Sequence, residues 1–141
     1  VPVVMANGST DGVLDAIFAG QPVGTLFLPH GDEMAAWKRW LGFTARPRGT
    51  LTLDAGATRA VAEQGKSLLA VGVRRVEGEF GKGDVVSVLD PDGNEIGRGV
   101  VNYPSTDALN LAGKNAEQIA TLLGKVPYDE LIHRYNFVRT G

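Results

Sequence analysis

Hydrophobic positions fall into three regimes along the chain. Val1 to Met5 is a continuous apolar run, the pattern of a strand buried on both faces. Ala6-Asn7-Gly8-Ser9-Thr10 reads as a turn, with Ser9 or Thr10 capping a short helix from about Asp11 to Ala19. Val13, Leu14, Ile17 and Phe18 then share one helical face, Gly20 ends the helix, and Val23 to Leu28 resumes as a strand. The order strand–helix–strand is that of an α/β sheet. One such unit cannot bury its own sheet, so a part preceding Val1 is expected to cover it.

The second regime begins at Pro29-His30-Gly31-Asp32, which reads as a boundary. Asp32 is placed to cap a helix through Leu41, with Met34, Trp37, Trp40 and Leu41 on its apolar side and Lys38 and Arg39 outward. Gly42 to Gly49 reads as a loop and Thr50 to Leu53 as a short strand. Asp54 caps a helix to about Gln64, closed by Gly65.

From Ser67 the period becomes two. Leu69, Val71 and Val73 alternate and lead into Val76, Val85, Val86 and Val88 follow, and Asp90-Pro91-Asp92-Gly93-Asn94 is a hairpin turn before a partner strand over Ile96 to Tyr103. Asp107 to Leu123 is helical and broken at Gly113. Leu131 to Arg134 and Asn136 to Val138 read as a closing strand pair. Short strands this crowded predict a strongly bent sheet or small barrel, mainly β with some α (an α+β class). The domain reading is 1–28, an α/β remnant; 29–44, a connector helix; and 45–141, the β-rich domain.

Composition narrows the function classes. Glycine, at 19 of 141 residues, is about twice the usual share of roughly 7%, which agrees with many turns. The absence of cysteine excludes disulfide scaffolds, zinc ribbons and thiol nucleophiles. No run approaches the roughly 20 apolar residues of a membrane span, and the N-terminus has no basic region of a signal peptide. A cytoplasmic location and no membrane partner are expected. The net charge of −2 counts against a general nucleic-acid binder but leaves room for a local basic patch.

Few motifs carry chemistry. Ala60 to Ser67 approximates a phosphate loop, yet a helix precedes its Gly65-Lys66-Ser67 and a β-region follows, the reverse of what phosphate binding requires. Asp90, Asp92 and Asn94 open like a calcium loop, but Glu95 and Val101 occupy the positions that need glycine and glutamate. His30 with Asp32 and Glu33 lacks a second histidine at ligand spacing, and His133 reads as structural. No catalytic and no metal-binding residue is assigned. The arginines and lysines Arg46, Arg48, Lys66, Arg74, Arg75, Arg98, Arg134 and Arg139 are scattered; Lys66, Arg74, Arg75 and Arg98 are the candidates for an RNA- or anion-binding patch.

An ordered set of segments goes further. Gly24-Thr25-Leu26-Phe27 with Trp37-Lys38-Arg39-Trp40, Leu53 to Ala57, Gly65 to Val73, Val76 to Phe80, Gly83 to Val86, Gly99 to Tyr103 and Ile132-His133-Arg134 together resemble the bacterial glutamate 5-kinases over essentially the whole chain. Tyr135 departs from the pattern, since relatives usually carry an acid after the His-Arg pair. The resemblance implies the end of an amino-acid-kinase domain followed by a PUA domain, a small pseudo-barrel. The parent enzyme would transfer the γ-phosphoryl group of ATP to the side-chain carboxylate of glutamate, opening proline biosynthesis, with ATP and Mg²⁺ held upstream of Val1. No cofactor is then expected in this chain itself.

Three functions follow, in order of expectation. A regulatory or assembly module would pack on its own kinase domain, tune proline inhibition or the homo-oligomeric state, and show apolar surface near Val13, Phe18, Trp37 and Trp40. An RNA-binding module would cluster Lys66, Arg74, Arg75 and Arg98. An autonomous enzyme comes last.

Overall fold

The computed structural model describes residues 2–28, 33–124 and 129–141. The boundary segment 29–32, with His30 and the cap expected at Asp32, lies outside these residues, as do the side chains of Glu33 and Met34. The chain forms two compact units, Val1–Ala36 and Trp37–Gly141.

In the first unit β1 (Val3–Met5) and β2 (Thr25–Phe27) flank the six-residue helix α1 (Val13–Phe18). The expected order holds, but the strands pair antiparallel, Val3 opposite Phe27 and Met5 opposite Thr25. A crossover of the α/β kind would have made them parallel. Gly24, at φ +77°, turns the chain back so close to Met5 that a Cβ there would strike the Met5 carbonyl. Burial on both faces is not seen either: β1 and β2 are exposed throughout, and no α1 residue is buried. Two strands and one short helix have no second layer to hide behind.

α2 (Glu33–Arg39) runs into a π-helical turn, Trp40–Thr44, closed by Ala45 N–H donating to the Trp40 carbonyl at 3.0 Å. The wider turn rotates successive side chains away from α-helical phase. Leu41 is therefore fully buried beside Ala45 and Val85, while Trp37 and Trp40, expected to face inward with it, stack on each other at 5.1 Å in solvent. Only the start of the loop expected from Gly42 to Gly49, Gly42 to Thr44, is thus helical.

The remaining elements are β3 (Gly49–Leu53), α3 (Ala55–Ala62), β4 (Leu68–Leu69), a 3₁₀ turn (Ala70–Gly72), β5 (Val73–Gly78), β6 (Val85–Leu89), β7 (Glu95–Val100), α4 (Ser105–Leu111), α5 (Ala116–Leu123), β8 (Glu130–Ile132), a 3₁₀ turn (Arg134–Asn136) and β9 (Phe137–Arg139). A five-stranded sheet runs β5-β3-β6-β7-β9, with β3 and β6 parallel and the other pairs antiparallel; β4 and β8 form a separate pair. One face of the large sheet supplies Leu51, Val76, Val86 and Val88 to a core completed by Leu111, Ile119, Leu131 and Ile132. The β6–β7 hairpin forms as expected, with the Asp90 carboxylate accepting from the Asp92 and Asn94 amides, each at 2.9 Å, and Gly93 at φ +88°.

Two expectations change. The period-two run from Leu69 is interrupted by the turn at Ala70–Gly72, so Leu68, Ala70 and Val73 are buried and Leu69 and Val71 face solvent. The two final strands do not pair with each other: β8 joins β4 and β9 joins β7. The helical break at Gly113 is real, at φ +78°, and Asn115 and Gln118 form a reciprocal capping box that restarts the chain as α5.

Candidate functional site

The sequence of α3 dictates how both its ends are placed. Asp54 Oδ1 accepts from Ala57 N–H at 2.7 Å and caps the first turn. At the other end Gly65 takes φ +62° and Lys66 N–H reaches back to the Ala60 carbonyl at 3.0 Å, closing a glycine-terminated helix end. This left-handed turn sets Lys66 beside the helix end. Ser67 Oγ then accepts from Arg134 N–H at 2.9 Å and ties the loop to the final 3₁₀ turn.

Around that tie a cavity of about 480 Å³ opens, lined by Lys38, Lys66, Arg134 and Arg139 over an apolar floor that includes Val61 and Phe137. Among the described residues no side-chain carboxylate lines it. Tyr135 holds Arg134, whose Nη2 donates to the phenol oxygen at 3.1 Å and whose guanidinium lies 4.8 Å from the ring centre. Arg139 Nη1 donates to the Ala62 carbonyl at 3.5 Å, covering the electronegative end of α3, and its Nε donates at 2.9 Å to Gly141 O, an α-carboxylate oxygen in the 141-residue chain. His133 has the structural role expected of it: Nδ1 accepts from Tyr135 N–H at 3.3 Å. Among the described residues no group of three His, Asp or Glu side chains is placed to hold a metal ion.

Of the four candidate cations, only Lys66 lines this groove. Arg74 pairs with Asp54 at 3.7 Å and Arg75 with Glu77 at 3.8 Å. Arg98 is the most committed: its Nε donates to Glu95 Oε1 at 3.0 Å and its Nη1 to the Ala45 carbonyl at 3.2 Å. Arg75 and Arg98 stand on strands separated by β3 and β6, about 14 Å apart along the sheet at ordinary strand spacing. Glu95 also accepts from Ser87 at 2.8 Å and Thr140 at 3.0 Å. Burial alone would push its carboxyl up, but these hydrogen bonds and the Arg98 charge outweigh burial and hold it below its ordinary value. Arg134 and Arg139 stood in the sequence only as scattered arginines, and Lys38 as the outward face of a helix. Their convergence depends on β9 docking beside α3 through pairings remote in sequence, which no local pattern carries.

A larger, apolar cavity of about 630 Å³ lies on the other side of the Lys66 loop, where the exposed Leu69 and Val71 meet Ile119. Its charged rim has both signs, Lys66 and Lys114 against Asp129 and Glu130.

Residues 49–123 match the PUA domain family. The chain belongs to that family. Curated relatives extend the match: the glutamate 5-kinase of Rhodopirellula baltica is 47% identical over 137 residues, covering 97% of this chain and 35% of that protein. The glutamate 5-kinase of Moorella thermoacetica is 41% identical over 141 residues, covering 100% of this chain and 37% of that protein. It is the PUA-bearing C-terminal part of these proteins that the chain matches, and it spans little more than a third of their length. Among solved structures, a PUA domain from Aeropyrum pernix, crystallised as a tartrate complex, is 27% identical with a TM-score of 0.51, covering 67% of this chain and 44% of that one. The PUA match takes in α3 and Lys66, whereas Arg134 and Arg139 lie beyond its last residue.

Proposed function

We propose that this chain is the C-terminal region of a cytoplasmic, ATP-dependent glutamate 5-kinase and serves it as a regulatory and assembly module. The parent reaction makes L-glutamyl 5-phosphate from ATP and L-glutamate, with ATP and Mg²⁺ bound in the kinase domain. The observation that carries the module reading is the first unit's surface. Val3, Met5, Leu26 and Phe27 are each at least half exposed, and Phe18 is 88% exposed. A two-stranded sheet this bare is a fragment of a larger layer, and the layer that suits it is the kinase domain of the same polypeptide. Trp37 and Trp40 add exposed aromatic area on the second unit.

RNA binding through Lys66, Arg74, Arg75 and Arg98 has less support, because three of the four are paired with carboxylates. Among the described residues no helix is long and apolar enough to cross a membrane.

The test is to delete the segment corresponding to 37–141 from a full-length enzyme. Glutamate phosphorylation, proline inhibition and subunit number by analytical ultracentrifugation are then compared. A truncated enzyme that still phosphorylates glutamate but loses proline sensitivity or changes its subunit number bears out the module. Unchanged regulation and assembly, or glutamate phosphorylation by the 141-residue chain alone, overturns it.

A further inference from the structure

We propose that the groove between α3, the Lys66 loop and β9 is a binding site for a small molecule bearing a di- or triphosphate group. This goes beyond the module reading and does not depend on it, since binding is measured on the chain itself.

The argument starts from where the positive charge lies. The chain as a whole is weakly acidic, and the cations of β5 and β7 each face a carboxylate: Arg74 faces Asp54, Arg75 faces Glu77 and Arg98 faces Glu95. Lys38, Lys66, Arg134 and Arg139 instead surround one cavity that, among the described residues, no side-chain carboxylate lines. Four like charges around one hollow repel one another, and an anion of several charges relieves that repulsion. The cavity, at about 480 Å³, falls in the range of small-molecule sites.

The site is also ordered before any ligand arrives. Tyr135 aligns the Arg134 guanidinium, Ser67 fixes the Arg134 backbone, and Arg139 donates to the Ala62 carbonyl at the electronegative end of α3. Planar guanidinium groups offer paired donors that match phosphoryl oxygens, and the lysines add compact charges. An extended nucleic acid calls for a continuous basic track across the surface. Here four cations gather at one hollow, so a short phosphate chain is the better fit.

Tripolyphosphate and ATP are titrated separately into the 141-residue chain by calorimetry, at about 50 mM and about 200 mM salt. Tripolyphosphate tests the phosphate chain alone, and ATP shows whether a nucleoside adds to it. Binding of tripolyphosphate that weakens about tenfold or more in Lys66→Glu and in Arg134→Glu is expected. Arg75→Glu, on the outer sheet face, should bind like the parent chain. Thermal unfolding of each variant separates loss of the site from loss of the fold. If a charge-reversal variant is misfolded, the shorter Lys66→Gln and Arg134→Gln changes take its place. Three results would overturn the proposal: no tripolyphosphate binding at millimolar concentration, equal binding by Lys66→Glu and the parent chain, or binding of structured RNA that tripolyphosphate cannot displace.

Discussion

Gly97 and Gly99 on β7 are buried where neighbouring strands come closest, and neither needs an unusual backbone angle. A Cβ at Gly97 would strike the Phe137 ring and the Val138 carbonyl, backbone and aromatic atoms that cannot easily give way. One at Gly99 would meet Ile132 Cγ2 at 2.7 Å and Cδ1 at 2.8 Å, methyls of a buried side chain, with the nearest backbone atom, the Asn136 carbonyl, at 3.2 Å. Gly97→Ala is therefore expected to cost about 1–3 kcal/mol of stability and Gly99→Ala less, as read from urea unfolding. Glu95 makes a second prediction at this scale. Its folded pKa lies below the ordinary 4.5, so the stability it confers is complete above that value and is lost as pH falls through the lower folded pKa. Glu95→Gln should be less stable than the parent chain near pH 7, and the gap should close in acid. A gap independent of pH across that window would show that the Ser87, Arg98 and Thr140 hydrogen bonds do not depend on the charge.

At the scale of elements, end signals matter more than interior propensity. Asp54 both caps α3 and pairs with Arg74, so Asp54→Ala is expected to cost about 1 kcal/mol, measured by thermal unfolding. The π-helical turn is anchored by a single fully buried side chain, and Leu41→Ala is expected to cost about 2–5 kcal/mol in the same measurement. These elements also show what could be read from the chain directly. Asp54, the Asp90–Asn94 turn and the break at Gly113 are local chemistry, written in consecutive residues, and they were legible. The phase of Leu69 and Val71 was not, because a two-residue strand gives no period and the turn after it resets the faces. Nor was the outward face of Trp37 and Trp40, since one π turn shifts the helical phase. The groove was half legible: Gly65-Lys66-Ser67 stood out, but its partners Arg134 and Arg139 reach it only through tertiary pairing.

The two units differ in how much apolar surface each encloses. The second unit buries a continuous cluster from Leu51 to Phe137, whereas the first leaves its strands bare. The chain alone should therefore enhance the fluorescence of a hydrophobic dye such as ANS, and Phe18→Ser should reduce that signal. On the proposed module reading, the amides of β1 and β2 exchange with deuterium far more slowly in the full-length protein than in the isolated chain. Equal exchange rates in the two would mean that the kinase domain does not cover them. The sheet order carries one more consequence. β3 comes first among its five strands, yet both its neighbours, β5 and β6, lie later in the chain, and β7 waits for β9. Little of the sheet can zip up from adjacent segments, so the rate of folding is set by the search for distant partners. Refolding in milliseconds to seconds, without a microsecond phase, is the pace such a topology imposes. Throughout that interval Leu51 and its neighbours present unpaired edges to every other unfinished copy in solution.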